Sequence, residues 1–144
     1  MSQLTSGLVI VSGVAYHSFE VSHLPGVLAL CEAERWPSLP KDPARAERML
    51  NAPNATTVVA VDAATVVGVA FAIVDAGCLD AYLSIMVVRA EYRRRGVAHR
   101  LVAEVFRLSG VERIDLLAEP GSEGFYDSLP HRRFAGYRLY PESD

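Results

Sequence analysis

Thiols are scarce in this chain: Cys31 and Cys78 are the only two in 144 residues. Two cysteines without metal-ligand spacing give neither a disulfide framework nor a metal cluster, so both read as reduced, small core residues. Positive charge is not in excess either. Fourteen Lys and Arg stand against seventeen Asp and Glu, a net charge of −3, which excludes the broadly basic surface of a duplex-DNA binder. No apolar run reaches the roughly 18 residues that cross a bilayer. No basic segment followed by an apolar stretch marks a signal peptide. Repeats and low-complexity linkers are missing. These absences leave a cytoplasmic protein with no nucleic-acid and no membrane partner. The length predicts one domain over residues 1–144, and 51% hydrophobic content supplies a core.

What is present is a regular alternation of element signals. Leu8–Val11 and Val14–Val21 are β-rich and read as strands broken at Gly13, after an unstructured start over Met1–Gly7. Ser22 reads as an N-cap with Pro25 in the first turn. Leu24, Val27, Leu28 and Cys31 then keep helical period up to Trp36-Pro37, where the residue before proline disfavours helix. Asp42-Pro43 starts a second helix, which ends at Asn51–Asn54. Thr57–Val61 and Val66–Val74 form a hairpin, and Gly68 inside it signals a bulge or a close backbone approach. Tyr82–Val88 is the next strand. Val97, Leu101, Val102, Val105, Phe106 and Leu108 stripe a third helix, closed by Gly110. Ile114–Leu117 is a short strand and Ser122–Leu129 a short helix ending at Pro130. The alternation in Phe134–Tyr140 predicts a last strand. Early hairpins and late strand–helix alternation give an α+β class with a mixed sheet.

The run Met86-Val87-Val88-Arg89-Ala90-Glu91-Tyr92-Arg93-Arg94-Arg95-Gly96-Val97-Ala98-His99 carries the most chemistry. An apolar strand enters an arginine-rich turn, which closes on Gly96 and opens a helix. Amides at a helix start, with about +0.5 charge from the aligned dipoles, bind phosphate. Gly96 permits backbone angles closed to other residues and a close ligand approach. Three arginines add anion attraction. Arg93-x-x-Gly96-x-Ala98, preceded by Met86-x-Val88-x-Ala90-x-Tyr92, resembles the phosphate loop of the GNAT superfamily of acyl-CoA N-acyltransferases. Ala90 stands where that family commonly has proline, and Arg94 where it commonly has glycine. The element order also resembles the GNAT fold across nearly the whole chain. The resemblance implies an α/β/α layered fold with a central mixed sheet of about six to seven strands and two splayed parallel strands.

The resemblance further implies acetyl-CoA as co-substrate and a primary amine as acceptor. The family inserts the pantetheine arm between the splayed strands, at the positions of Met86, Val87 and Val88 here. It holds the pyrophosphate on amides, matching Arg94 through His99, with the side chains of Arg93, Arg94 and Arg95 nearby; Gly96, Val97 and Ala98 belong to the same cradle. An amide at Val87 or Val88 would polarise the thioester carbonyl. Gly124-Phe125-Tyr126-Asp127-Ser128-Leu129 resembles the family's second motif, which makes Tyr126 the acid that protonates the leaving thiolate. Pro130-His131 follows where the family has glycine-phenylalanine. A carboxylate commonly takes the amine proton in that family. The strand before the loop has none in its middle, so Glu34 and Asp80 are the catalytic candidates, beside water or a backbone carbonyl. Neither cysteine sits in a nucleophile setting, which favours direct transfer in a ternary complex.

Blander readings stand beside these. Arg93–Arg95 also fits a solvated turn, and Tyr126 a half-buried core tyrosine. His17, His23 and His131 lack spacing for metal and read as structural or exposed. Trp36 suits core packing as well as substrate contact. Phe71, Tyr82 and Tyr137 suit the core better than a pocket. A non-catalytic acyl-CoA-binding or sensor module is the alternative function, and an arginine-rich RNA module a weaker third. Homodimers are common in the family.

Overall fold

The computed structural model describes the backbone of residues 9–11 and all of residues 13–77 and 79–143. The expectations for Met1–Gly7, Leu8 and Cys78 fall outside these. Two strands, β1 (Val9–Val11) and β2 (Val14–Ser18), turn about Gly13 at φ +82°. Helices α1 (Leu24–Ala33) and α2 (Pro43–Leu50) follow. Then come β3 (Ala55–Asp62), β4 (Thr65–Val74), β5 (Asp80–Val88), α3 (Val97–Ser109), β6 (Arg113–Asp115) and α4 (Glu123–Asp127). The strands lie side by side in chain order in one six-stranded sheet. Neighbours are antiparallel except β5 and β6, which are parallel. This is the mixed α+β sheet expected. No helix among the described residues is long and apolar enough to cross a membrane.

Local chemistry sets most element ends. Asp42 caps α2 by accepting from the Arg45 amide at 3.1 Å. Gly110, at φ +72°, terminates α3. At the end of α1 the Trp36 N–H donates to Cys31 O at 2.7 Å and the Arg35 N–H to Glu32 O at 3.2 Å. With Arg35 at φ +64° this is a Schellman closure built on a non-glycine residue. Ser22 is not the N-cap of α1. It lies inside a 3-10 turn over Val21–His23, where the Glu20 N–H donates to His23 Nδ1 at 3.0 Å. The strand expected through Val21 therefore stops at Ser18.

Helices cover both faces of the sheet. On one face Val27, Leu30 and Cys31 of α1, with Ala46 and Leu50 of α2, pack on Val59, Val69, Phe71, Ile85 and Val87. On the other, Val97, Leu101 and Val105 of α3 pack on Val14, Tyr16, Val58, Ala60, Ala70, Ala81 and Leu83. Phe106 and Leu108, expected in the α3 stripe, are 37% and 40% exposed. Glu104 is buried among the apolar residues instead, its charge met by Arg100 at 2.9 Å and Arg107 at 2.7 Å.

The strand pairing holds a bulge that the sequence pattern conceals. Phe71 pairs with Ile85 and the next residue, Ala72, with Leu83, so Ser84 is an extra residue in β5. Ala81, Leu83, Ile85 and Val87 are all buried at period 2. Across the bulge the faces exchange: Ala81 and Leu83 join the α3 side, Ile85 and Val87 the α1/α2 side. A second register shift lies opposite Gly68, and a Cβ there would stand 3.1–3.4 Å from Leu101, Val97 and Ala60. Both readings of Gly68, bulge and close approach, apply.

The expected last strand is not formed. Residues 129–143 have no ladder partner, and Phe134, Tyr137, Leu139 and Tyr140 are 72–87% exposed. Alternation gives a segment two faces, but a strand also needs an edge and a covering layer. The described chain supplies no covering layer to this segment.

Candidate active site

The parallel pair β5–β6 holds together only at Asp80–Tyr82, opposite Arg113–Asp115. Beyond this ladder β5 runs on to Val88 while the other strand gives way to irregular chain. The two part there, and the gap opens into a cavity of about 1300 Å³. Tyr82 through Val88 form one wall, and Leu116 and Leu117 stand across from them. The Ser84 bulge lies at the middle of that wall, where an extra residue leaves backbone groups outside the ladder.

At the end of β5 the chain makes a 3-10 turn, Ala90–Tyr92, and then the bend that starts α3. Arg94 has φ +61° and Gly96 φ +82°. The position where the resembled family commonly has glycine thus keeps a left-handed backbone here with arginine in it. Nothing lies within 4 Å of where a Gly96 Cβ would be, so the bend is open at that point. The Arg100 N–H donates to Gly96 O at 3.0 Å. That bond closes the first turn of α3, leaving the amides of Val97, Ala98 and His99 without an intrahelical acceptor. A ligand phosphate fits such an arrangement.

The expected site residues divide clearly. Met86, Val87, Val88, Arg93, Arg94, Gly96, Val97, Ala98 and His99 all border the cavity, and so does Tyr126. Arg95 does not. Its guanidinium lies over the Tyr92 ring, 4.5 Å from the centroid. Tyr92 in turn donates to Asp62 and ties the bend to the β3–β4 hairpin. Asp80 is also away from the cavity lining and is paired with Arg113. Glu34 borders the cavity but is engaged: its carboxylate accepts from the Ala90 N–H at 3.0 Å and from Arg93. Trp36 and Tyr82 line the cavity, whereas Phe71 is core.

Tyr126 sits on α4, edge-on to Phe125 with ring centroids 5.0 Å apart. Burial pushes its phenol above the ordinary tyrosine value. The Pro130-His131 turn after it is braced. Arg133 donates to both carboxylate oxygens of Asp127, at 3.0 and 2.9 Å, and reaches Glu123 at 3.3 Å. A further carboxylate borders the cavity, Glu119, in the segment between β6 and α4. It takes part in no ion pair among the described residues, and no motif pointed to it in the sequence.

The Acetyltransferase (GNAT) domain family matches residues 27–135. No curated protein matches the sequence. Solved structures match the shape. The complex of AAC(6')-Iy with the bisubstrate analogue CoA-S-monomethyl-acetylneamine has a TM-score of 0.75 at 23% identity, over 92% of this chain and 99% of that one. An aminoglycoside acetyltransferase from an uncultured soil metagenomic sample, in complex with trehalose, has a TM-score of 0.71 at 17% identity, covering 91% and 97%. An acetyltransferase of Trypanosoma brucei has a TM-score of 0.69 at 19% identity, covering 90% and 99%. At such identities the likeness is one of fold.

Proposed function

Because this chain belongs to the GNAT acetyltransferase family, we propose that it transfers an acetyl group from acetyl-CoA directly to a primary amine in a ternary complex. The observation that carries this reading is the continuous cavity from the open Gly96 bend, along the parted stretch of β5, to Tyr126. Residues 1–144 act in it as one N-acetyltransferase domain.

The chain's own groups divide the work. Free amides of Val97, Ala98 and His99 bind the diphosphate, with Arg93 and Arg94 beside them. Met86, Val87 and Val88 offer backbone groups to the pantetheine arm, and an amide at Val87 or Val88 polarises the thioester carbonyl. Holding both reactants in one cavity removes much of the entropic barrier. The amine nitrogen forms the new C–N bond as the C–S bond breaks. Tyr126 O–H gives its proton to the leaving sulfur. The amine proton passes to solvent in the open cavity, with Glu119 the lining carboxylate outside any ion pair among the described residues, and solvent returns a proton to Tyr126. Burial keeps the phenol protonated beyond the ordinary tyrosine range, which suits an acid.

Fold neighbours include aminoglycoside acetyltransferases, so aminoglycosides belong in the acceptor panel beside amino acids, polyamines and peptides. A second copy of this chain is the proposed partner, on the strength of the uncovered segment Phe134–Tyr140.

Calorimetry with acetyl-CoA, followed by thiol release across that panel, tests the reading. Tyr126→Phe is expected to lower kcat about 100-fold with acetyl-CoA affinity retained. No heat with acetyl-CoA overturns the assignment. Binding with background thiol release on every amine assigns a non-catalytic acyl-CoA sensor, the reading that the absence of a carboxylate from Tyr82–Val88 favours.

A further inference from the structure

The arginine-rich bend is fastened to the end of α1 by the Glu34 side chain. Glu34 ends α1, fifty-six positions before Ala90 in the chain. Its side chain is only 12% exposed, while that of Arg93 is 59% exposed. One carboxylate oxygen accepts from the Ala90 N–H at 3.0 Å and the other from Arg93 Nη2. We propose that Glu34 is a positioning residue: a two-oxygen clasp that sets the bend and aims Arg93 before the cofactor arrives.

Three features support the clasp. First, Ala90 opens the 3-10 turn, where an amide lacks a local acceptor. Glu34 supplies one from another element. Second, the Schellman closure through Arg35 and Trp36 fixes the end of α1 with two backbone bonds, so the carboxylate comes from a rigid base. Third, Arg93 carries five N–H donors and borders the cavity. One Nη2 hydrogen goes to Glu34, and the remaining donors stay available to a diphosphate. Holding a long, entropy-rich side chain in place in advance lowers what binding must spend on ordering it. Trp36, two residues on, lines the same cavity, so the clasp also joins the connection between α1 and α2 to the arginine-rich bend.

The inference rests on the acetyltransferase reading, and one set of measurements separates the two. Glu34→Ala removes both contacts. Glu34→Gln has one carbonyl oxygen and keeps one of them. The Glu34→Ala variant is expected to weaken acetyl-CoA binding about tenfold by calorimetry, and Glu34→Gln to fall between it and the parent. The loss should appear in the KM for acetyl-CoA, with kcat of Glu34→Gln at saturating acetyl-CoA within about threefold of the parent. A residue that took the amine proton would instead drop kcat of Glu34→Gln by about 100-fold or more, and that outcome overturns the clasp. Adding Arg93→Ala to Glu34→Ala should cost less affinity than the two single changes summed, because the two share one contact. A parent that binds no acetyl-CoA fails the acetyltransferase reading. A parent that binds it with a Kd matched by a folded Glu34→Ala protein fails the clasp alone.

Discussion

Gly68 lies directly beneath Leu101: a Cβ at Gly68 would stand 3.1 Å from Leu101 Cδ1 and 3.2 Å from Val97 Cγ1. These two helix residues sit on the sheet through the gap that glycine leaves. Val97 is also the first residue of α3, so the contact sets the height of the helix start over the sheet. Gly68→Ala is expected to destabilise the fold by about 1–3 kcal/mol, the range for overpacking a filled core. Urea denaturation reads it as a lower midpoint at unchanged slope. The same variant should bind acetyl-CoA less tightly, since the amides of Val97, Ala98 and His99 move with the helix. An unshifted midpoint would mean that Leu101 and Val97 yield freely.

Arg94 holds φ +61° in the bend before α3. A left-handed backbone costs an L-residue about 1–2 kcal/mol, whereas glycine adopts it freely but loses about 0.5–1 kcal/mol more entropy on folding. The balance favours Arg94→Gly by about 0.5–1 kcal/mol in stability. Affinity for acetyl-CoA should move the other way, because a cation bordering the cavity is lost. The salt dependence of acetyl-CoA binding should flatten as well. Measuring stability and affinity on one variant checks both signs. A destabilised Arg94→Gly protein would show that the arginine side chain, not its backbone angle, holds the bend.

Local chemistry explains which parts of this structure are readable from sequence. The Asp42 cap, the Gly110 terminator and the Gly96 bend each announce themselves within one turn of chain, and each is where the pattern puts it. Gly68 is legible too, because a lone glycine in an apolar strand has few other uses. Ser84 is not. The apolar period through Ala81, Leu83, Ile85 and Val87 stays unbroken while the strand changes faces, so period 2 hides the bulge. The Glu34–Ala90 contact joins residues 56 apart, beyond any local rule. Glu104 breaks the apolar stripe of α3, and only the arrival of Arg100 and Arg107 makes it a core residue. Phe134–Tyr140 shows the converse limit: its alternation is real, but a pattern does not supply a partner.

Acid should loosen α4 before the rest of the site. The hydrogen bond from Arg133 holds the Asp127 carboxyl below the usual carboxylate range, with help from the Arg133 and His131 charges. For a carboxyl depressed in the fold, the unfolded chain binds more protons as pH falls. The contribution is therefore complete above the unfolded value and disappears as pH drops through the folded one. Both groups are solvent-exposed, so the effect on global stability is small. Its readout is local: exchange rates of the Tyr126–Leu129 amides, taken relative to the intrinsic rate at each pH, should rise below about pH 4, and Arg133→Ala should show the raised relative rates already at neutral pH. If Arg133→Ala leaves those rates and kcat unchanged, the brace does not position Tyr126.

The uncovered segment should find its cover in a second copy. Phe134, Tyr137, Leu139 and Tyr140 are 72%, 82%, 87% and 75% exposed, more apolar surface in one short stretch than a monomer in solution usually leaves. The segment passes against the end of the parted strand, where a Cβ on Gly136 would meet Leu117 Cδ2 at 2.3 Å. Among the described residues β6 pairs only with β5, so its outer edge offers unpaired backbone groups beside that segment. Edge and segment belong to the same chain, and a two-fold axis lets each copy satisfy the other. Sedimentation at micromolar concentration is expected to give twice the mass of one chain, and Tyr137→Ser with Leu139→Ser to return it to one. Arg138 lies between those two residues and borders the cavity, so dissociation should also raise the acceptor KM. A parent that sediments as a monomer at every concentration would refute the pairing.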